Sequence, residues 1–131
     1  MATKTVINGV DLETVNETTG AIRTDPALAQ SRFHVVNKWI NGGHNHVTIR
    51  DFYGAKQEIP HSQVFELDED EPAMLAGTGA GPQPVEDLLT ALSRGMTRAV
   101  VQSAAPRGNH IESLEGHAVS GIDLPGFPGV S

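Results

Sequence analysis

The chain contains no cysteine among its 131 residues. Without a thiol it can form no disulfide, use no thiolate nucleophile and bind no zinc or iron–sulfur cluster through cysteine. Aromatic residues make up only 5% of the chain, and the hydrophobic fraction of 38% is below the usual globular share. We therefore expect one domain with a thin core and without cysteine chemistry.

Basic residues are also few, because nine Lys and Arg face sixteen Asp and Glu and give a formal net charge of −7. Nucleic-acid binding needs clustered positive charge, so we expect no nucleic-acid partner. No apolar run approaches the roughly 20 residues of a membrane span, and the first residues lack the apolar core of a signal peptide. The expected location is the cytoplasm, with no membrane partner.

Fourteen glycines and eight prolines indicate many turns. The clearest turn is Asn41-Gly42-Gly43, which separates two β-prone runs and predicts a β-hairpin. These runs are Arg32–Ile40 and His44–Tyr53, and further strands are predicted at Thr5–Asn8, Gln63–Leu67 and Ile111–Leu124. Two short helical pieces, Asp11–Glu17 and Pro26–Gln30, have Asp11 and Asp25 as N-caps.

A long amphipathic helix is predicted after the Gly/Pro turn that begins at Gly81. Pro84 suits the first helical position, and Gln83 with Glu86 forms a weak capping box. Apolar residues recur every three or four positions and form one stripe: Val85, Leu88, Leu89, Leu92, Met96, Ala99 and Val100. Strands, a helix and a final strand predict an α+β fold, with an antiparallel sheet packed on a long central helix.

Two segments before this helix resemble ligand sites but fit them poorly. Asp68–Pro72 is acidic, yet it lacks the EF-hand spacing, so a solvated loop is expected. Gly77–Pro82 precedes a helix N-terminus, yet it has neither the dinucleotide-binding spacing nor a Walker lysine. We therefore expect no calcium or phosphate site there.

His44 and His46 form the sharpest chemical feature of the predicted hairpin. At positions i and i+2 of a strand, both imidazoles point to the same face and can ligate one divalent metal ion. His61 could add a third ligand, and Glu58 or Asp51 a carboxylate. The alternative is a pair of exposed hairpin histidines without such a role.

The middle of the long helix offers a second candidate site. Arg94 and Arg98 lie one turn apart and could bind a carboxylate or a phosphate, or could form a solvated face with salt links to acids. Gly95 between them costs roughly 1 kcal/mol in a helix relative to alanine. Its lack of a side chain permits either close helix–helix packing or a ligand pocket.

Several motifs along the chain resemble a subgroup of the OsmC/Ohr superfamily (osmotically inducible protein C and organic hydroperoxide resistance protein). They are NGVDLETVNETTGAI near the N-terminus, W-I-N-G-G, D-F-Y-G, D-E-P, G-P-x-P-V-E-x-L-L, A-A-x-R-G and G-I-D-L-x-G-F. The resemblance implies a single OsmC-like domain over residues 1–131. It further implies an intertwined homodimer in which two sheets wrap paired central helices, with active sites at the dimer interface.

The chain departs from this family in three places. Gly95 occupies the slot of the reactive cysteine, so the resemblance no longer implies thiol peroxidase activity. Val85 stands where peroxidases have a glutamate, and Glu86, one residue on, is a cap or a catalytic acid. The family's C-terminal strands and second helix do not follow. We therefore expect a second copy to complete the fold, with Met96 and Val100 in contact with it.

Two functions follow from these features. The first is binding of a small hydrophobic or anionic molecule at a dimer-interface pocket formed by Arg94, Gly95, Met96 and Arg98, without a cofactor. The second is a cysteine-free enzyme or metal site that uses His44 and His46 with a carboxylate such as Glu86. Organic hydroperoxide reduction in oxidative stress defence is a third, which the missing cysteine argues against.

Overall fold

A computed structural model describes residues 5–121 of the chain and has the predicted α+β class. Its two helices and two antiparallel sheets are formed by β1 (Val6–Ile7), β2 (Val10–Asp11), α1 (Leu12–Thr24), β3 (Arg32–Phe33), β4 (Val36–Asn41), β5 (His44–Gly54), β6 (Gln57–Glu69) and α2 (Pro84–Ala104). Short 3-10 helices span Pro26–Ala29, Ala73–Leu75 and Ala105–Arg107. No helix of residues 5–121 combines the length and the hydropathy needed to cross a membrane.

The first helix, α1, begins where the sequence predicts but ends later. The Asp11 carboxylate caps it by accepting hydrogen bonds from the backbone N–H groups of Glu13 and Thr14, at 3.1 and 3.3 Å. The helix continues to Thr24 rather than ending at Glu17, because no proline intervenes before the one that follows Asp25. None of its residues is buried, so the helix packs weakly against the rest of the chain.

The larger sheet is organised around β5, which is its central strand. The predicted run Arg32–Ile40 is two strands, since β3 pairs with the end of β5 and β4 pairs with its beginning. The β4–β5 hairpin through Asn41-Gly42-Gly43 is confirmed. The Trp39 Nε1–H donates to the Gly42 carbonyl at 2.9 Å and fixes the side chain over the turn.

On its other side β5 pairs with β6, which is much longer than the predicted strand Gln63–Leu67. The connection is the two-residue turn Ala55-Lys56, whose φ values of 48° and 65° are unusual for residues with a side chain. An ion pair between Lys56 and Asp25 ties this turn to the segment after α1 and helps to stabilise it.

The acidic segment after β6 is not the solvated loop that the sequence predicts. The Asp70 side chain is 1% exposed and accepts hydrogen bonds from the backbone of Glu71, Thr78 and Ala80 and from the Thr78 hydroxyl, at 2.7–3.2 Å. These bonds, above all the one from the Thr78 hydroxyl, hold the pKa of Asp70 well below its usual range. The glycine-rich segment therefore wraps around this carboxylate. A side chain at Gly77 would collide with the Glu71 carbonyl.

The second helix, α2, has the predicted start and capping box. Val85 N–H donates to the Gln83 side chain at 2.6 Å, and Gln83 N–H donates to the Glu86 carboxylate at 3.1 Å. The orientation of the helix departs from the prediction, however. Its apolar stripe is turned to solvent, where Leu88 is 68% exposed and Met96 64%. The face that lies towards the sheet is the polar one and carries Asp87 and Arg94.

Residues 5–121 consequently form almost no core. Ala105 is the only apolar side chain that is fully buried in the described part of the chain.

The predicted final strand, Ile111–Leu124, is wrong over its described part. Residues 109–121 contain no strand and belong to neither sheet. Instead Asn8 holds the start of this segment, donating to the Asn109 carbonyl and accepting from the Ile111 N–H, both at 2.8 Å. The remaining residues of the prediction, 122–124, lie outside the described range.

Candidate functional site

The alternation of side chains along β5 separates the two predicted sites. Asn45, Val47 and Ile49 point towards α2 and line a cavity between the helix and the sheet. His44 and His46 point to the opposite face, where they meet side chains of β6. The arginines of α2 and the histidine pair therefore belong to different sites.

Arg94 and Arg98 lie together, as their spacing predicts. They line a cavity of about 390 Å³, which also contacts the apolar side chains of Val10 and Val101. Within residues 5–121 neither guanidinium has a hydrogen bond or an ion-pair partner. An apolar cavity with two unpaired guanidinium groups suits a ligand that has a hydrocarbon part and one negative charge.

Gly95 and Met96, the other two residues of the predicted pocket, do not line this cavity. Met96 faces a separate groove of about 230 Å³ between α2 and the segment 114–118. A Cβ atom at Gly95 would meet nothing within 4 Å, so no neighbour in the described chain requires a glycine there. Arg94, Gly95, Met96 and Arg98 thus lie on different sides of α2 and do not form one pocket.

A larger cavity of about 580 Å³ separates the sheet from the first half of α2. Its walls are mainly apolar, and three charged side chains line it: Glu69 of β6 and Asp87 and Arg94 of α2. A hydrogen bond with the Asp87 carboxyl, together with desolvation, raises the pKa of Glu69 to about 7. This carboxyl pair is not among the residues predicted from the sequence, because Glu69 lies in a segment that reads as an acidic loop and Asp87 is distant in sequence.

The two histidines of β5 share one carboxylate of β6. The Asp68 Oδ1 atom lies 2.9 Å from His44 Nε2 and 2.9 Å from His46 Nδ1. The second ring nitrogen of His46, Nε2, lies 3.4 Å from a Glu66 carboxylate oxygen. The register explains this cluster, since His46 pairs directly with Asp68 and its neighbour Thr48 with Glu66.

The hydrogen bonds of this cluster shift the pKa values of His46 and Asp68. Chiefly through the bond to Asp68, the pKa of His46 is raised above its usual value. The bonds from His44 and then His46 lower the pKa of Asp68. An imidazole that is oriented by a carboxylate can serve as a general base, as a proton shuttle or as a metal ligand.

The remaining candidate residues lie apart from the histidine pair. His61 packs between Phe52 and Phe65, with ring centroids 5.1 Å from each. Asp51 contacts His34 at 3.1 Å, and Glu86 is engaged in the cap of α2. Among residues 5–121 no group of three or more His, Asp or Glu side chains is arranged to hold a metal ion.

A comparison with protein-family models and with curated proteins finds no match for this chain. Function is therefore inferred from the two arrangements of side chains described above, the arginine pair on α2 and the histidine pair on the sheet. The first combines charge with an apolar cavity. The second combines two imidazoles with a shared carboxylate.

The shared carboxylate can be tested by titration. We expect Asp68→Asn to lower the pKa of His46, because the amide cannot stabilise the imidazolium. The raised folded-state pKa means that charged His46 stabilises the protein below the unfolded pKa of about 6.5. That contribution is lost as the pH rises through the folded pKa. Imidazole proton shifts in NMR spectra report the titration.

The matched control is Glu115→Gln, which removes the carboxylate 2.9 Å from His117 and leaves the β5 pair intact. An unchanged His46 titration in the Asp68→Asn protein would contradict the contact.

Proposed function

We propose that this protein is a homodimeric OsmC-like protein that binds a small apolar anion beside α2 and has no thiol peroxidase activity. The observation that carries the proposal is the cavity lined by Arg94 and Arg98, neither of which has an acidic partner among residues 5–121. The chain carries an excess of seven acidic residues. Two arginines that nonetheless have no acidic partner there suit an anion supplied from outside.

The dimer is supported by the direction of the apolar stripe on α2. Leu88, Leu92, Met96 and Val100 are 49–68% exposed and follow one another at four-residue spacing. A second copy that packs on this stripe would supply the core that the protomer lacks.

The same arrangement supports the resemblance to the OsmC/Ohr superfamily, in which paired central helices form the middle of the dimer. Gly95, in the cysteine slot, is next to this stripe and has open space beside it. In that superfamily the reduction of a hydroperoxide uses a thiolate that attacks the O–O bond, and this chain has no cysteine. Binding without thiol chemistry is therefore the function proposed here.

The histidine pair supports a second candidate, a cysteine-free enzyme in which an imidazole held by Asp68 acts as general base or metal ligand. The carboxylate in this arrangement is Asp68 rather than Glu86. Stoichiometric metal lost in the His44→Ala/His46→Ala double variant would favour this candidate over the first.

Anion binding is tested with octanoate as the probe. We expect octanoate to bind the wild-type protein and Arg94→Gln or Arg98→Gln to weaken binding by roughly tenfold each, because a charge-assisted hydrogen bond is lost. Isothermal titration calorimetry measures the dissociation constants. Arg50→Gln, at an exposed arginine of β5 that does not line the cavity, is the matched control. Absence of octanoate binding, or equal weakening by all three substitutions, would refute the proposal.

The Gly95→Ala substitution, which adds one methyl group, tests whether a second copy packs against α2 at this position. Gly20 in α1 and Gly95 in α2 are both helical, and a Cβ atom meets nothing within 4 Å at either position. In an isolated protomer both alanine substitutions would stabilise the helix by about 0.5–1 kcal/mol. We expect this gain for Gly20→Ala but a loss of dimer stability for Gly95→Ala, because the partner occupies the space.

Denaturant unfolding at several protein concentrations shows whether Gly95→Ala weakens a dimer or only stabilises the helix. Dissociation of a dimer makes the unfolding midpoint depend on protein concentration. Equal stabilisation by both substitutions would show that nothing approaches Gly95.

A further inference from the structure

Arg94 lies between two cavities, because it lines both the one that contains Arg98 and the larger one between the sheet and α2. A ligand whose anionic group binds at Arg94 therefore has a second space open to it. That second space has apolar walls provided by side chains such as Val47, Ile49 and Leu67. Its far end carries the carboxyl groups of Glu69 and Asp87.

These two carboxyl groups are joined by a hydrogen bond, and a carboxyl can donate only in its protonated form. Below about pH 7 the protonated Glu69 carboxyl can donate to Asp87, in a cavity whose only other charged lining residue among residues 5–121 is Arg94. An ammonium group carries three N–H donors and a positive charge, so it can replace that proton and satisfy both carboxylates. The pair would distinguish an aminated ligand from one that ends in a methyl group.

The helix sets the distance between the two charged ends. Asp87 and Arg94 are two turns apart on one face of α2, which separates them by about 10 Å along the axis. Only apolar and uncharged polar side chains line the cavity between them. This arrangement matches an extended hydrocarbon with opposite charges at its ends.

We propose that the ligand is an apolar zwitterion, bound with its anionic group at Arg94 and its ammonium group between Glu69 and Asp87. The inference rests on the proposed function, since it extends the same anion site into the second cavity. The hydrocarbon chain lies against Val47 and Leu67. The ligand class is thus an amino acid whose amine and carboxylate are held apart by a long aliphatic chain.

The ionisation of Glu69 adds a dependence on pH. Because its pKa is raised to about 7, the Glu69 carboxyl is uncharged below this pH and negatively charged above it. Asp87 and Arg94 are the only other titratable groups that line the cavity among residues 5–121. Affinity for an ammonium group should therefore increase as the pH rises through about 7, while the aliphatic amine stays charged.

The experiment compares three probes of similar length, 8-aminooctanoate, octanoate and octylamine, by isothermal titration calorimetry at about pH 6 and about pH 8. We expect 8-aminooctanoate to bind most tightly, at least tenfold more tightly than octanoate at the higher pH. We expect Glu69→Gln to abolish this difference and to leave octanoate binding unchanged or slightly stronger. Glu58→Gln, an exposed acid on the same strand that does not line the cavity, is the control.

The outcomes separate this inference from the proposed function. If octanoate binds and the amino group adds no affinity, the zwitterion is refuted and the anion site stands. If octylamine alone binds and Arg94→Gln has no effect, the ligand is a cation and both proposals fail. If the gain from the amino group is present but unchanged in Glu69→Gln, the ammonium binds elsewhere and the assignment of the pair is wrong.

Discussion

The orientation of α2 is the constraint on which the rest of the structure depends. Its apolar stripe points away from its own sheet, and its polar face, with Asp87 and Arg94, points towards it. The helix cannot pack closely on the sheet through charged side chains, so cavities separate the two layers. The same orientation leaves Leu88 and Met96 without cover, which is costly for an isolated chain in water. The near absence of a core and the cavities between helix and sheet thus both result from the orientation of α2.

Because side chains alternate along β5, the two candidate sites lie on opposite faces of the sheet. Towards α2 the strand supplies apolar walls, and β6 adds Glu69 at the end of the cavity. On the other face the same two strands bring His44 and His46 to one oxygen of Asp68. Asp68 and Glu69 are neighbours in β6 but belong to different sites. The register between β5 and β6 sets the position of both residues.

Local features of the fold could be predicted from the sequence, whereas features that depend on distant contacts could not. The Gln83 cap and the turn through Gly42 depend on neighbouring residues only, and both were predicted. Neither residue of the turn Ala55-Lys56 is a glycine or an asparagine, so the length of β6 was missed. The buried Asp70 and the carboxyl pair at Glu69 depend on partners 8–18 residues away, and polarity alone made both look solvated. Of the candidate site, the positions of Arg94 and Arg98 followed from helical spacing, but the direction of the helix face did not.

The most direct test of a second copy on α2 is the molar mass in solution, measured by light scattering on a size-exclusion column over a wide range of protein concentrations. We predict a mass of twice the 13.9 kDa of one chain, with dissociation only on strong dilution. A folded species of 13.9 kDa at every concentration would contradict the dimer, because the exposed stripe of α2 would then be stable in water without a partner.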